Sequence, residues 1–268
     1  MKANRVSAAE GARWLLEGLR LLRAAPLQLM VLHLLLLLAV AFVLSIPTAG
    51  FALFWLLAPA LLVGPHAAMR AAARGERPSP ALLLEGFRGG LGALAQLGAI
   101  LLVLLVAALG ATALADDGRL FRAMTGIERL KMEDLLEPEL HNALLVWAVL
   151  ETAIFSVLWY APLLVAWHGV APLKSVFFSV AAIVLNWRAM LAFSAAMVLA
   201  AFAVSLGALA VASLVAATEG ARVSTAAFAA TWTFLPMLFA ASWRSYQAIF
   251  GAAAAPGAST RDTAKEAD

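Results

Sequence analysis

The sequence predicts an all-α, polytopic membrane protein: a helix bundle with six transmembrane helices. Three observations carry this. Of 268 residues, 64% are hydrophobic and only 13% charged, where a soluble domain carries about a quarter charged residues. Mean hydropathy is +0.92. Six apolar runs each reach the roughly 20 residues that a helix needs to cross the hydrocarbon, and helix is the form in which such a run satisfies its own backbone in lipid.

In chain order, residues 1–23 are basic and precede the first span at 27–46. A cleaved leader has a shorter apolar region followed by small residues, so this run is expected to stay as an uncleaved helix. Just before it, Glu10, Arg13, Glu17 and Arg20 recur at steps of three and four, which makes one polar stripe. Trp14, Leu15, Leu19 and Leu22 fill the rest. A helix so divided is expected to lie in the headgroup layer; the alternative is a helix packed under the bundle. Further spans fall at 50–71, 91–114, 143–167, 188–216 and 224–249. The apolar region 176–217, about twice the hydrocarbon thickness as a straight helix, is too long for one crossing, and the part before residue 186 is too short to cross by itself. It divides at Asn186-Trp187-Arg188, leaving 172–185 as a short helix at the surface or among the spans. Residues 119–136 are expected to form a surface helix. Residues 1–250 thus make one integral membrane domain, and 251–268, small and polar, a disordered cytoplasmic tail.

Charge orients the spans. Of 19 basic residues, only Arg119, Arg122, Arg129, Lys131 and Arg222 fall in the alternate loops. The positive-inside bias then places both termini in the cytoplasm of a bacterial inner membrane. Basic residues flanking apolar spans report topology rather than nucleic-acid binding, so no nucleic-acid partner is expected. Cysteine is absent, which removes disulfides, thiolate metal sites and cysteine nucleophiles.

An internal repeat runs through the chain. Leu15-Leu16-Glu17-Gly18-Leu19-Arg20 recurs as Leu83-Leu84-Glu85-Gly86-Phe87-Arg88, with Val176-Phe177-Phe178-Ser179 as a degenerate third copy. Ala58-Pro59-Ala60-Leu61-Leu62 recurs as Ala161-Pro162-Leu163-Leu164 and, more weakly, as Leu235-Pro236-Met237-Leu238. The unit is a short amphipathic helix, a span and a proline-containing span, three times over.

Few residues invite chemistry. Glu151 is the one acid well inside a span, with Thr152 and Ser156 on the same helix. A central carboxylate costs about 3 kcal/mol to insert; it serves a proton or cation, or it is a protonated group bonded locally. Pro59, Pro162 and Pro236 each remove a helix hydrogen bond, either opening carbonyls to a ligand or merely shaping the packing. His66 and His168 follow two of the prolines and flank a common vestibule or sit singly at the interface; His33 and His141 complete the histidines. Asn186, Trp187 and Arg188 read as an interfacial anchor. No histidine pair has metal-ligand spacing, so neither a metal nor a cofactor is expected. No phosphate loop, serine elbow or paired catalytic carboxylates occur.

The stretch Trp159-Tyr160-Ala161-Pro162-Leu163-Leu164-Val165-Ala166-Trp167-His168-Gly169-Val170, continuing through Pro172 to Ser179 and on to Asn186-Trp187-Arg188, resembles an uncharacterised family of proteobacterial six-span inner-membrane proteins. So do Gly11-Ala12-Arg13-Trp14, Glu17-Gly18, Ser242-Trp243 and Ser245-Tyr246. The resemblance implies a polytopic inner-membrane location and brings no activity, substrate or cofactor; Glu151 lies outside its pattern. The expected function is non-enzymatic: a scaffold, a lipid-organising component or a partner of another membrane protein or of itself. The alternatives are a small transporter or channel using Glu151 and the proline breaks, and a lipid-modifying enzyme using His66 and His168.

Overall fold

The computed structural model describes residues 3–47, 49–131, 134, 137–216 and 218–251. All regular structure among them is helical. Helix α1 (Ala8–Leu22) precedes the first span, α2 (Pro26–Leu44), and the second, α3 (Ala49–Ala73). A 3₁₀ turn (Pro80–Leu84) and α4 (Glu85–Arg88) lead into the third span, α5 (Leu91–Asp116), and then α6 (Arg119–Met124). The fourth crossing is divided between α7 (Pro138–Leu158) and α8 (Ala161–His168). The short α9 (Pro172–Leu185) is followed by α10 (Trp187–Val215) and α11 (Glu219–Phe250). Six helices are long and apolar enough to cross a membrane once α7 and α8 are taken together. Their outer faces expose Leu27, Phe42, Val103, Val149, Leu199 and Phe202, a greasy belt that a soluble monomer does not carry.

Helix α1 is packed against α10 and α11. Trp14 is 1% exposed and meets Phe193 edge-on at 5.6 Å. The physical reason is a pair of glycines. A Cβ on Gly18 would stand 2.7 Å from the Ala241 nitrogen, and one on Gly11 would overlap the Ala189 carbonyl. Helices meet this closely only where small residues line the seam, and a hydrophobic periodicity does not register a glycine as a contact. The polar stripe faces outward, where Glu17 accepts from Arg244 at 3.0 Å. Glu85-Gly86 makes the like contacts elsewhere: Gly86 lies on the Ala60 backbone of α3, and Glu85 accepts from Arg70 at 2.6 Å. Val176–Ser179 lies inside α9, where Ser179 takes a backbone hydrogen bond from Tyr160.

The three prolines behave differently. Pro59 and Pro236 sit within the continuous helices α3 and α11, and α3 accommodates Pro65 as well. Pro162 follows a real break: α7 ends at Leu158 and α8 begins at Ala161. The freed Tyr160 N–H donates to the Ser179 hydroxyl at 3.1 Å, so the break is satisfied from α9, as buried backbone requires. The first residues of the chain close the bundle at one end. The Asn4 N–H donates to the Ile249 carbonyl at 2.9 Å, and the first and last described segments therefore lie at the same end.

At the opposite end the expected helix over 119–136 is cut to α6, because Gly126 takes a left-handed conformation (φ 79°); of its last residues, 132, 133, 135 and 136 lie outside the described set, as do residues 252–268 of the expected tail. Arg119 bridges Glu128 at 3.4 Å and Asp134 at 3.3 Å and also pairs with Glu137, whose hydrogen bond holds the guanidinium pKa up. The Lys131 N–H donates to Asp134 at 2.7 Å and, with Arg119, holds that carboxyl below its ordinary value of 3.8. A depressed folded pKa stabilises above the unfolded value and ceases to do so as pH falls through the folded one. Amide exchange of residues 119–124 is therefore expected to accelerate as pH falls below the ordinary carboxylate value, beyond the intrinsic pH effect, while the core of α5 stays protected.

Candidate functional site

A cavity of about 200 Å³ lies inside the bundle. Pro59, Leu62 and His66 of α3, Leu97 and Leu101 of α5, Pro162 and Leu163 of α8, and Leu235, Leu238, Phe239 and Ser242 of α11 line it, with Phe155, Leu158 and Trp159 closing one side. Two of the three prolines thus face it, and the third neighbours Leu235. Proline removes a hydrogen bond and spreads the local backbone, which leaves room where tightly wound helices would interdigitate.

Its polar end is the pair His66 and Ser242. His66 Nδ1 lies 2.8 Å from the Leu62 carbonyl. A carbonyl only accepts, so Nδ1 carries the proton and Nε2 is left as acceptor. Nε2 takes the Ser242 hydroxyl at 3.1 Å. His33, on α2, repeats the first half: Nδ1 donates to Leu29 at 2.6 Å, and its buried Nε2 meets no partner among the described residues. The Phe239 ring contacts both imidazoles, with centroid separations of 5.4 Å to His33 and 5.1 Å to His66. His168 is not in this cavity. It meets the Tyr246 hydroxyl at 2.7 Å, one helical turn beyond Ser242 on α11. His141 is exposed.

Glu151, Thr152 and Ser156 are brought together, at the flank of the bundle and away from any closed interior. With Ser194, Met190 and Phe193 of α10 they border an open groove of about 290 Å³ between α7 and α10. The Ser156 hydroxyl is used locally, donating to the Thr152 carbonyl at 2.7 Å. Phe155 and Trp159 border both the groove and the cavity; two aromatic side chains are what separates the lipid-facing flank from the interior.

Beyond the cavity, α3, α4, α8 and α11 meet in an aromatic and ionic cluster. Glu85 accepts from Arg70 and from the Trp167 indole at 2.8 Å, and the Arg70 guanidinium lies over the Trp167 ring at 4.5 Å. Trp243 and Tyr246 stack at 5.8 Å beside it. Sequence reasoning assigned Arg70, Glu85 and Ser242 no role. The signal for them was in the motifs: Glu85 belongs to the repeated Glu-Gly pair, and Ser242, Trp243 and Tyr246 to the closing block of the family resemblance. Asn186 is buried and its side chain makes three hydrogen bonds: two hold residues near the start of the chain, accepting from the Val6 N–H at 2.8 Å and donating to the Asn4 carbonyl at 3.0 Å, and one donates to the Ala182 carbonyl of α9 at 3.0 Å. Trp187 and Arg188 are exposed, with the guanidinium 5.2 Å from the indole. Among the described residues, no three metal-ligating side chains gather.

Fold and site together define a multi-pass α-helical membrane protein with an apolar chamber between its helices. A protein of Burkholderia thailandensis described as a probable inner membrane protein is 33% identical over 257 residues, which cover 94% of this chain and 94% of that one. The chain belongs to this family of probable inner membrane proteins. No family model matches it. No solved structure matches it.

Proposed function

We propose that this protein is a non-enzymatic, lipid-organising component of the inner membrane, with both termini cytoplasmic, that seats part of an acyl chain in its central cavity. One observation carries the reading: an apolar chamber at the centre of the bundle lies behind Phe155 and Trp159 from a groove open to lipid. The chamber is smaller than the roughly 300–1,000 Å³ of a small-molecule site, which suits a segment of chain rather than a whole ligand. The excess of basic residues at the end that holds Asn4 and Ile249 supports the orientation.

The His66–Ser242 pair has the make-up of a base and a nucleophile, but Ser242 sits in the middle of continuous α11. The N–H groups around it are spent on the helix, so none is free to stabilise an oxyanion. The pair serves to satisfy a buried imidazole. No cofactor or nucleic acid enters this reading; the partners are the bilayer and a second membrane protein or copy.

Leu163→Trp puts a bulkier ring into the wall of the chamber and narrows it. The native protein is expected to retain lipid through delipidating detergent washes, and the variant to lose it while keeping its elution volume; equal retention by both sinks the proposal. A second reading, a small transporter, draws on Glu151 at the groove and on the α7–α8 break at its inner wall. Under the lipid-organising reading, Glu151→Gln leaves proton or cation flux into liposomes at the level of the native protein. A fall to the protein-free leak would favour the transporter.

A further inference from the structure

We propose that Arg5 and Arg188 form a headgroup site for an anionic glycerophospholipid, separate from the central chamber. The two residues are 183 positions apart in sequence, and both border one groove of about 430 Å³, with Val6, Leu185, Asn186 and Trp187. Asn186 brings them there. Its side chain grips the backbone on both sides of Arg5, at Asn4 and Val6, and its own backbone leads through Trp187 to Arg188. One buried amide therefore fixes the backbones of both arginines relative to each other, and that lowers the entropy lost when the two side chains close on a ligand.

Charge and shape then select the occupant. Both arginines are exposed, and neither is in an ion pair among the described residues. No carboxylate borders the groove. Two forked cations without a counterion suit phosphate oxygens, which guanidinium binds bidentately. A second groove, of about 570 Å³, shares Arg5 and Leu185 with the first and continues over Phe177, Phe178 and Phe250. A charged cup joined to an apolar trough matches a lipid headgroup and its chain, and free phosphate would leave the trough empty. Trp187, 54% exposed beside the cup, has the amphipathic ring that settles at the headgroup level. This site deepens the lipid-organising reading by naming a lipid class, yet it uses none of the chamber's residues.

The test titrates the detergent-solubilised full-length protein with phosphatidylglycerol or phosphatidylethanolamine and counts bound lipid by native mass spectrometry. The native protein is expected to prefer phosphatidylglycerol by about thirtyfold, from two cations acting at a membrane surface. The Arg5→Gln, Arg188→Gln double variant is expected to lose most of that preference. An Arg13→Gln, Arg20→Gln variant of equal net charge, altered on the exposed stripe of α1, is expected to keep it. Equal loss in the two double variants, or no loss in the first, overturns the proposal. Leu163→Trp separates the two readings: lost lipid retention with intact phosphatidylglycerol preference leaves this site standing alone, and the converse leaves only the chamber.

Discussion

Gly98→Val is expected to prevent recovery of folded, monodisperse protein, whereas Gly110→Val on the same helix is expected to be tolerated. A Cβ on Gly98 of α5 would overlap the Leu56 carbonyl of α3, and its other near neighbours are backbone atoms of the same residue. Backbone cannot swing aside as a flexible side chain does. Two spans that meet along Leu97 and Leu101 must separate to admit the branched residue, and the chamber lined by those leucines opens with them. Overpacking costs about 1–3 kcal/mol where the neighbours are mobile side chains, and rigid neighbours put this site at the upper end or beyond. Gly110 has nothing within 4 Å of its position and an ordinary helical backbone, so valine there projects into lipid and the effect stays within about 0.5 kcal/mol. Elution profile and thermal midpoint in detergent measure both. If the two variants behave alike, the α3–α5 seam is not where the structure places it.

What was legible in the sequence follows from which forces leave a linear trace. Each span is a run of apolar residues whose length is set by the bilayer, so its register could be found to within a few residues. The α9–α10 division at Asn186 was legible because 42 apolar residues cannot form one crossing, and α9 does run from Pro172 to Leu185. The partners are not legible where contact outweighs composition. Helix α1 has the stripe of an interfacial helix, but Gly11 and Gly18, seven residues apart, form a seam whose partner, the backbone around Ala189 and Ala241, lies far along the chain. The fourth span breaks at one of the three prolines singled out as candidate breaks, Pro162, but nothing local names Ser179 as the group that receives the Tyr160 N–H. For the candidate site, Glu151, Thr152 and Ser156 were found by polarity alone. The role of Ser242 depends on which imidazole faces it, and no local pattern carries that.

Asn186→Leu tests the link between the α9–α10 junction and the strap formed by residues 4–6, some 180 positions away in sequence. Leucine has the same branching and number of side-chain heavy atoms as asparagine, though its methyl groups are bulkier, so the change removes polarity without opening a cavity. The Val6 N–H loses its acceptor, and the Asn4 and Ala182 carbonyls each lose a donor. At 3% exposure, water does not replace these partners in the folded state. Three net hydrogen bonds at roughly 1 kcal/mol each give a destabilisation of about 3 kcal/mol, unless the strap leaves its seat and lets water satisfy the groups. Release is the cheaper course. The strap's remaining hydrogen bonds are those from Asn4 to Ile249 and Ala248, at 2.9 and 3.3 Å, and Ala3 and Val6 rest, partly buried, against the core. The variant is thus expected to expose the peptide bond after Arg5 to trypsin in detergent micelles at least tenfold faster than the native protein, as an opening equilibrium shifted by more than about 1.4 kcal/mol requires. The bundle core beyond the contacts of Ala3 and Val6 keeps its protection against amide exchange. Unchanged cleavage with global loss of stability would mean that Asn186 holds the α9–α10 junction itself, and that the strap is seated by something other than this amide.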